Sequence, residues 1–336
     1  MKKVRIGING FGRIGRNALK VAFAHRDACE VVGINDLTDT KTLAHLLKHD
    51  TAYGKYSLEV GFDENTIIVD GVHIQVFKEK DPAMLKWGEL NVDVVIESTG
   101  RFLDKATAGA HITGGAKRVI ISAPSKGTDP APTHVLGVNP ADGSETIINN
   151  ASCTTNNISP VMAVLLESFG IEKALMSTVH SYTASQMIQD GPAKDIREAR
   201  AAAQNIVPTS TGAAIATTQS IPSLKGKFDG LSFRVPSIVV SCSDITAVLS
   251  KDVTVEDVNN ALIAASEKPQ YKGILGVTHE ELVSSDFRGD SHSAVIDLAL
   301  TRVVGGNLVK VVAWYDNEWG YSNRLVEQAI MIGQAA

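Results

Sequence analysis

The sequence predicts an α/β first half followed by an α+β second half, and three observations carry that reading. Short aliphatic runs alternate with helix-spaced segments up to about residue 150, after which strands dominate. Glycine is plentiful, at 28 residues, while aromatics are only 5%, a balance that suits glycine-rich turns between aliphatic strands. With 336 residues, 44% of them hydrophobic and 21% charged, the chain can bury a sizeable core, and two domains are the better expectation.

The elements follow in order. Val4–Ile8 reads as a strand and Ile14–Ala24 as a helix; Glu30–Asn35 and Thr40–His49 repeat that pair. Further strands are expected at Asp93–Glu97, Arg118–Ser122 and His134–Val138. Runs such as Val94-Val95-Ile96 lack polar alternation, as parallel strands buried on both faces do. Between Tyr56 and Lys78, turn signals at Asp63-Glu64-Asn65 and Asp70-Gly71 suggest an inserted antiparallel piece. From Cys153 the order changes: a helix to Ser168, a strand at Met176–Tyr182, a loop with Asp190-Gly191-Pro192, and a helix at Lys194–Gln204. Strands at Leu231–Arg234 and Ile238–Leu249 and a hairpin turn at Gly305-Gly306-Asn307 come next. Thr254, with Asp257 three residues on, opens a helix to Glu267. A helical pattern, Ser322–Ile332, ends the chain.

Charge and cysteines narrow the function. A net charge of −5 disfavours nucleic acid, which needs a basic face. No apolar run approaches the ~18 residues of a membrane span. Lys2 and Lys3 resemble the start of a secretory signal, but Arg5 and Asn9 interrupt the apolar stretch that would have to follow. Cys29, Cys153 and Cys242 are odd in number and far apart, so no disulfide framework is expected. A cytoplasmic protein is the expectation.

Gly10, Gly12 and Gly15 stand as G-x-G-x-x-G between the first strand and first helix, with Phe11, Arg13 and Ile14 in the same turn. One glycine allows the tight turn, the next lets backbone approach a pyrophosphate, and the third lets helix pack close to strand. Asp36 closes the second strand about 20 residues on, where a carboxylate receives the adenosine ribose. This is the Rossmann arrangement. Leu37 and Asp39 follow, with no arginine beside the carboxylate, so a 2′-phosphate would meet negative charge and NAD is expected over NADP.

Cys153, flanked by Ser152 and Thr154, begins a helix after a strand. A helix N-terminus favours thiolate, the nucleophilic form. Cys29 and Cys242 lie in apolar or strand contexts and read as buried thiols. A cysteine nucleophile needs a base. His25, His45, His49 and His111 read as surface residues, whereas His180 ends a strand and opens a polar stretch, Ser181-Tyr182-Thr183. No cysteine or histidine pair has metal-ligand spacing, so no metal is expected.

These segments, with Asn9–Arg16, Ala151–Asn156, Thr178–Thr183, Phe233–Pro236 and Trp314–Ser322, resemble phosphorylating glyceraldehyde-3-phosphate dehydrogenases, from residue 3 to about residue 330. The resemblance implies attack of Cys153 on the aldehyde of glyceraldehyde 3-phosphate, proton removal by His180 as hydride leaves for NAD, and phosphorolysis of a thioester to 1,3-bisphosphoglycerate. It implies that the imidazolium of His180 stabilises thiolate and oxyanion. It assigns NAD contacts to Gly10, Phe11, Gly12, Arg13, Ile14, Asp36, Lys80, Thr99, Ser122 and Asn317, with Tyr321 near the nicotinamide. Thr183 and Arg234 match the substrate-phosphate position, and Ser152, Thr154, Thr211 and Gly212 the residues around the attacking phosphate.

The same resemblance implies an NAD-binding domain at 1–152, onto which a C-terminal helix, 318–336, packs back, and a catalytic domain at 153–317 with a mainly antiparallel sheet. It also implies a homotetramer in which the loop Ser181–Ala202 flanks the cofactor between subunits. The chain departs from the family pattern at four places. Asn157 replaces a second cysteine, Ala184-Ser185 an Asn-Asp pair, Glu198 the second of two arginines, and Ile215 a lysine. Arg197 is then a weak substitute at the phosphate. Erythrose-4-phosphate dehydrogenases are the nearest rivals. A noncatalytic binding relative would be expected to have lost Cys153, His180 or Arg234, and all three are present.

Overall fold

In a computed structural model, which describes residues 2–335, the chain divides into two compact units. One is Met1–His134 with Pro140–Ala151 and Ser322–Ala336; the other is Val135–Asn139 with Ser152–Tyr321. The limiting residues Met1 and Ala336 lie outside the described residues.

The first unit is built on an eight-stranded sheet in the order Ile147–Asn149, Arg118–Ile121, Val94–Glu97, Val4–Asn9, Cys29–Asn35, Val72–Phe77, Thr66–Val69, Val60–Phe62. The first six are parallel to their neighbours, and the last two add an antiparallel edge. Val94, Val95 and Ile96 have no exposed surface, which is why their run shows no polar alternation. The inserted piece is a hairpin whose turn puts Asp70 and Gly71 at φ 50° and 76°, the left-handed pair that matches strand twist.

One expected strand is absent. Around His134–Val138 only isolated bridges form, Thr133 with Asn149 and Val135 with Asn139. The Val135 carbonyl accepts from the amides of both Val138 and Asn139, and Gly137 sits at φ 83°. The segment closes on itself as a turn, and Ile147–Asn149 takes the sheet edge instead.

The second unit has an eight-stranded sheet: seven strands in the order Val207–Ser210, Phe228–Val235, Ile171–Ser181, Ser241–Leu249, Leu308–Tyr315, Ala294–Asp297, Leu275–Thr278, and an eighth, Arg302–Val304, paired with Leu308–Tyr315 off that path. It is mostly antiparallel, but Ile171–Ser181 runs parallel to Phe228–Val235 and sets His180 beside Arg234. Helices Cys153–Phe169, Ala213–Ser220 and Val255–Ser266 bury one face of the sheet, with Ile158, Val161, Leu165, Met176, Ile245, Leu262 and Val311 in one core. Thr254 and Asp257 form a complete capping box.

The expected helix at Lys194–Gln204 is a series of turns. Its amides are drawn across the loop: Ala201 N donates to Asp190 Oδ1 and Ala202 N to the Met187 carbonyl. Asp190 also accepts from Arg200 Nε at 2.8 Å. These longer-range bonds replace the i→i−4 ladder that the residue pattern alone favours.

Candidate active site

The candidate side chains fall into two groups, one in each unit. In the first, Val4–Asn9 leads through Gly10 into helix Arg13–Ala24. Gly10 has φ +90°, and a Cβ there would lie 2.8 Å from Thr99 N; a Cβ at Gly15 would lie 2.1 Å from the Gly10 carbonyl oxygen. Both positions therefore exclude a side chain. A Cβ at Gly12 meets nothing within 4 Å, so open space adjoins a helix start whose cap residue offers no side-chain acceptor. That is a ready anion site.

Asp36 accepts Phe11 N at 2.8 Å and Thr38 N at 3.0 Å, fixing its carboxylate beside the glycine turn. Arg13 is tied to Asp50 at 2.8 Å. Ile14 is half-buried and Lys80 exposed. Thr99 donates from its amide and hydroxyl to Glu97 at 2.8 and 2.5 Å. Ser122 Oγ is buried with no hydrogen-bond partner, so a polar group remains to be satisfied there.

The sequence reading missed what lies beneath the turn. Glu97 also accepts from Asn9 Nδ2 at 2.5 Å, and Asn9 Oδ1 accepts from Asn35 Nδ2 at 2.7 Å. His111 Nε2 lies 3.0 Å from Glu97 Oε2, and His111 Nδ1 accepts from Trp87 Nε1 at 3.0 Å. His111 is thus fully buried, not a surface histidine. Asn9, Asn35 and Glu97 all end parallel strands, and three polar strand ends in one unit are the signal that was available.

In the second unit, Ser152 caps helix Cys153–Phe169 by accepting Thr155 N at 3.0 Å. The cap places Cys153 at the first helical position. His180 comes from the end of strand Ile171–Ser181, with Nε2 3.5 Å from Cys153 Sγ. The Tyr315 hydroxyl lies 2.9 Å from Thr154 Oγ1 and 2.8 Å from Thr178 Oγ1, and its ring stands edge-on to His180. Tyr315 therefore fixes the helix start against the strand. Strand alternation in Leu308–Tyr315 points it inward, a signal the sequence carried.

Burial pushes the Cys153 thiol up, against the Arg234 charge, Thr154 and the backbone amides, which pull it down. His180 is driven down to about 3, first by burial and then by the Arg234 charge, with the Ser181 carbonyl opposing. Burial and the neighbouring cation both oppose a charged imidazole, while the same cation favours the thiolate.

Asn317 is buried, and its Oδ1 accepts from Ser181 Oγ and Ser241 Oγ, each at 3.0 Å. Those hydroxyls orient the amide. Tyr321 is buried. The Ser152 hydroxyl is used in capping the helix and that of Thr154 in bonding Tyr315. Thr183 bonds Ser185 Oγ at 3.1 Å, and Thr211 Oγ1 accepts Ala213 N at 3.1 Å. Strand Val207–Ser210 pairs Val207 with Arg234 and Ser210 with Leu231, which sets Thr211 and Gly212 beyond the opposite end of that pairing. Arg197 and Ile215 are exposed. Asn157 is buried, and its Nδ2 donates to the carbonyls of Ser293, Ala313 and Trp314 at 3.2–3.5 Å, so it ties helix to sheet where no cysteine is needed.

A dinucleotide-type glycine turn in one unit and a helix-start thiol beside an imidazole in the other are the features of a nucleotide-dependent oxidoreductase. Residues 4–105 match the family model described as glyceraldehyde 3-phosphate dehydrogenase, NAD binding domain, and residues 152–317 match that of the C-terminal domain. The chain is 52% identical to a glyceraldehyde-3-phosphate dehydrogenase of Streptomyces coelicolor, covering 98% of each chain. It is 53% identical to that of Priestia megaterium over 97% of each, and 52% identical to that of Geobacillus stearothermophilus over 98% of each. The chain belongs to the glyceraldehyde 3-phosphate dehydrogenase family, and its first unit carries the family's NAD-binding domain.

Proposed function

We propose that this chain oxidises D-glyceraldehyde 3-phosphate to 1,3-bisphosphoglycerate, using NAD and inorganic phosphate. The observation that carries the reading is the Cys153 sulfur at a helix start, 3.5 Å from the Nε2 of His180. The open space at Gly12, the carboxylate of Asp36 and the unsatisfied hydroxyl of Ser122 fit NAD, and Asn317, oriented by two serines, suits the nicotinamide amide. NAD, when bound, supplies the hydride acceptor.

Cys153 Sγ bonds to the aldehyde carbon while its proton passes through His180 to the aldehyde oxygen, giving a hemithioacetal. His180 Nε2 then takes that hydroxyl proton as hydride leaves the carbon, and a thioester remains. A phosphate oxygen attacks the thioester carbon, the carbon–sulfur bond breaks, and the departing thiolate recovers the proton held by His180. The proton of the attacking phosphate goes to solvent. Arg234, with its Nε buried and unpartnered, and Thr183 receive the substrate phosphate. Ser152, Thr154, Thr211 and Gly212 surround the attacking one, without the second arginine that Glu198 replaces.

The oligomer fits this reading. Leu175, Val179, Leu231 and Leu308 are exposed on the sheet face opposite the helices, and Leu175 and Leu308 line a groove with Lys173 and Ile215. An apolar sheet face of this kind suits a second copy of the chain, in a homotetramer. Light scattering that finds single chains would exclude it. Three separated thiols fit a reducing cytoplasm.

A substrate panel tests the activity: glyceraldehyde 3-phosphate and erythrose 4-phosphate, with NAD or NADP, each with and without phosphate. Sustained NADH formation only with glyceraldehyde 3-phosphate, NAD and phosphate is the expected result. Preference for erythrose 4-phosphate overturns the substrate assignment.

A further inference from the structure

Glu97 is a buried carboxylate that the chemistry of Cys153 does not use. Its Oε1 accepts from the amide and hydroxyl of Thr99, and its Oε2 from Asn9 Nδ2 and His111 Nε2. Four donors fill the acceptor sites of an ionised carboxylate. Trp87 fixes the direction of the last bond, because an indole N–H can only donate. It donates to His111 Nδ1, so that nitrogen carries no proton and Nε2 points its own at Glu97. Among the described residues no lysine or arginine pairs with this carboxylate; its one ion-pair contact is His111. A buried charge without a cation is costly, and an apolar residue would fill the same space more stably. Stability alone does not account for it.

We propose that Glu97 is a positioning residue for NAD, holding the strand ends beneath the cofactor in one arrangement through Asn9, Asn35 and Thr99. The bonds gather the carboxyl ends of parallel strands, where nucleotide sites of such sheets form. Asn9 closes the first strand and precedes Gly10, and Asn35 closes the second and precedes Asp36. Asn35 Nδ2 donates to Asn9 Oδ1 at 2.7 Å and to the Glu79 carbonyl at 2.9 Å, while its Oδ1 accepts Glu79 N at 2.8 Å. That side chain thus clamps the segment following strand Val72–Phe77 as well. Thr99 N lies 2.8 Å from where a Cβ on Gly10 would stand, so Glu97 holds the glycine turn from two sides. The Thr99 hydroxyl gives its proton to Glu97 and accepts Arg101 N at 3.1 Å, which leaves it no freedom to follow a ligand. The turn is therefore set before NAD arrives, and binding does not have to order it. This role stands on the NAD-binding domain and is independent of which aldehyde is oxidised.

Calorimetric titration of the full-length protein with NAD, in the absence of aldehyde, reads the positioning apart from the reaction. Glu97→Gln keeps the size of the side chain but turns an amide N–H toward groups that are themselves donors. The dissociation constant of NAD should rise at least ~10-fold, or ~1.4 kcal/mol, at a temperature where circular dichroism shows the variant folded. Asn35→Ala leaves Glu97 and His111 in place and should raise it ~5-fold, the worth of about one net hydrogen bond. Because both act through one network, the double variant should bind NAD about as weakly as Glu97→Gln alone. Losses that multiply in the double variant overturn the shared network. A melting temperature that falls while NAD affinity holds, in either variant, marks a structural role only and overturns the positioning. Should Glu97→Gln fail to fold, Asn35→Ala decides alone: weaker NAD binding supports the role, and an unmoved affinity overturns it.

Discussion

At the level of single residues, the chemistry depends on a thiol at a helix start within 3.5 Å of an imidazole. Cys153→Ser should abolish aldehyde oxidation while NAD binding and the unfolding midpoint change little, because an alcohol cannot provide the sulfur nucleophile. Alkylation should label Cys153 before Cys242 and Cys29. Those two are pushed up to about 11 and about 12 by burial, and Cys29 is also almost wholly inaccessible. Peptide mapping of partly alkylated protein checks the order. His180→Asn should slow hydride transfer ~100- to 10,000-fold, read by stopped-flow absorbance. His180 also makes stability depend on pH. Its folded value of about 3 lies below its unfolded 6.5, so between those values only the unfolded chain binds the proton. Stability is complete above 6.5 and falls as pH drops toward 3; denaturant titrations should show a shallower fall in His180→Asn. Cys153 and His180 were legible in the sequence because polar neighbours surrounded each at the end of an element. His111 was not, since its burial depends on Glu97 and Trp87, residues distant in sequence that only the folded sheet brings to it.

Elements place these residues with less tolerance than composition suggests. Glycine turns make that testable within one loop. Gly12→Ala adds a methyl group to open space, so folding should be unaffected. The methyl would, however, stand where a pyrophosphate approaches, and NAD affinity should fall at least ~10-fold, or ~1.4 kcal/mol. Gly15→Ala forces a Cβ to within 2.1 Å of the Gly10 carbonyl, so it should lower the melting temperature as well. Calorimetry beside NAD titration separates the two; equal melting points would contradict the close-packing role of Gly15. Most strands and caps could be read from local pattern, as the Thr254 capping box shows. The two misread segments share a cause. At Lys194–Gln204 the amides serve Asp190 and Met187, and at Val135–Asn139 they serve a turn closed by the Val135 carbonyl. Nonlocal or turn hydrogen bonds defeated a periodicity that was present.

For the whole molecule, the sequence announced two domains, the cofactor class and the family. The three polar strand ends Asn9, Asn35 and Glu97 were visible in it, but not their pairing into a ladder or the orientation of Asn317, because each is made by residues more than 20 positions apart. Cofactor choice belongs at this scale too. Asp36→Ala should weaken NAD use and narrow the gap to NADP, while reversal of preference should require changes at Leu37 and Pro192 as well; steady-state kcat/KM with both cofactors decides it. The central claim is that oxidation passes through a thioester on Cys153. Mixing the protein with glyceraldehyde 3-phosphate and NAD, omitting phosphate, and quenching in acid for mass spectrometry tests it most directly. One NADH per chain and one phosphoglyceroyl group on the peptide containing Cys153 are expected, the group being discharged when phosphate is added before the quench. NADH formed without any acyl group on Cys153 would contradict it.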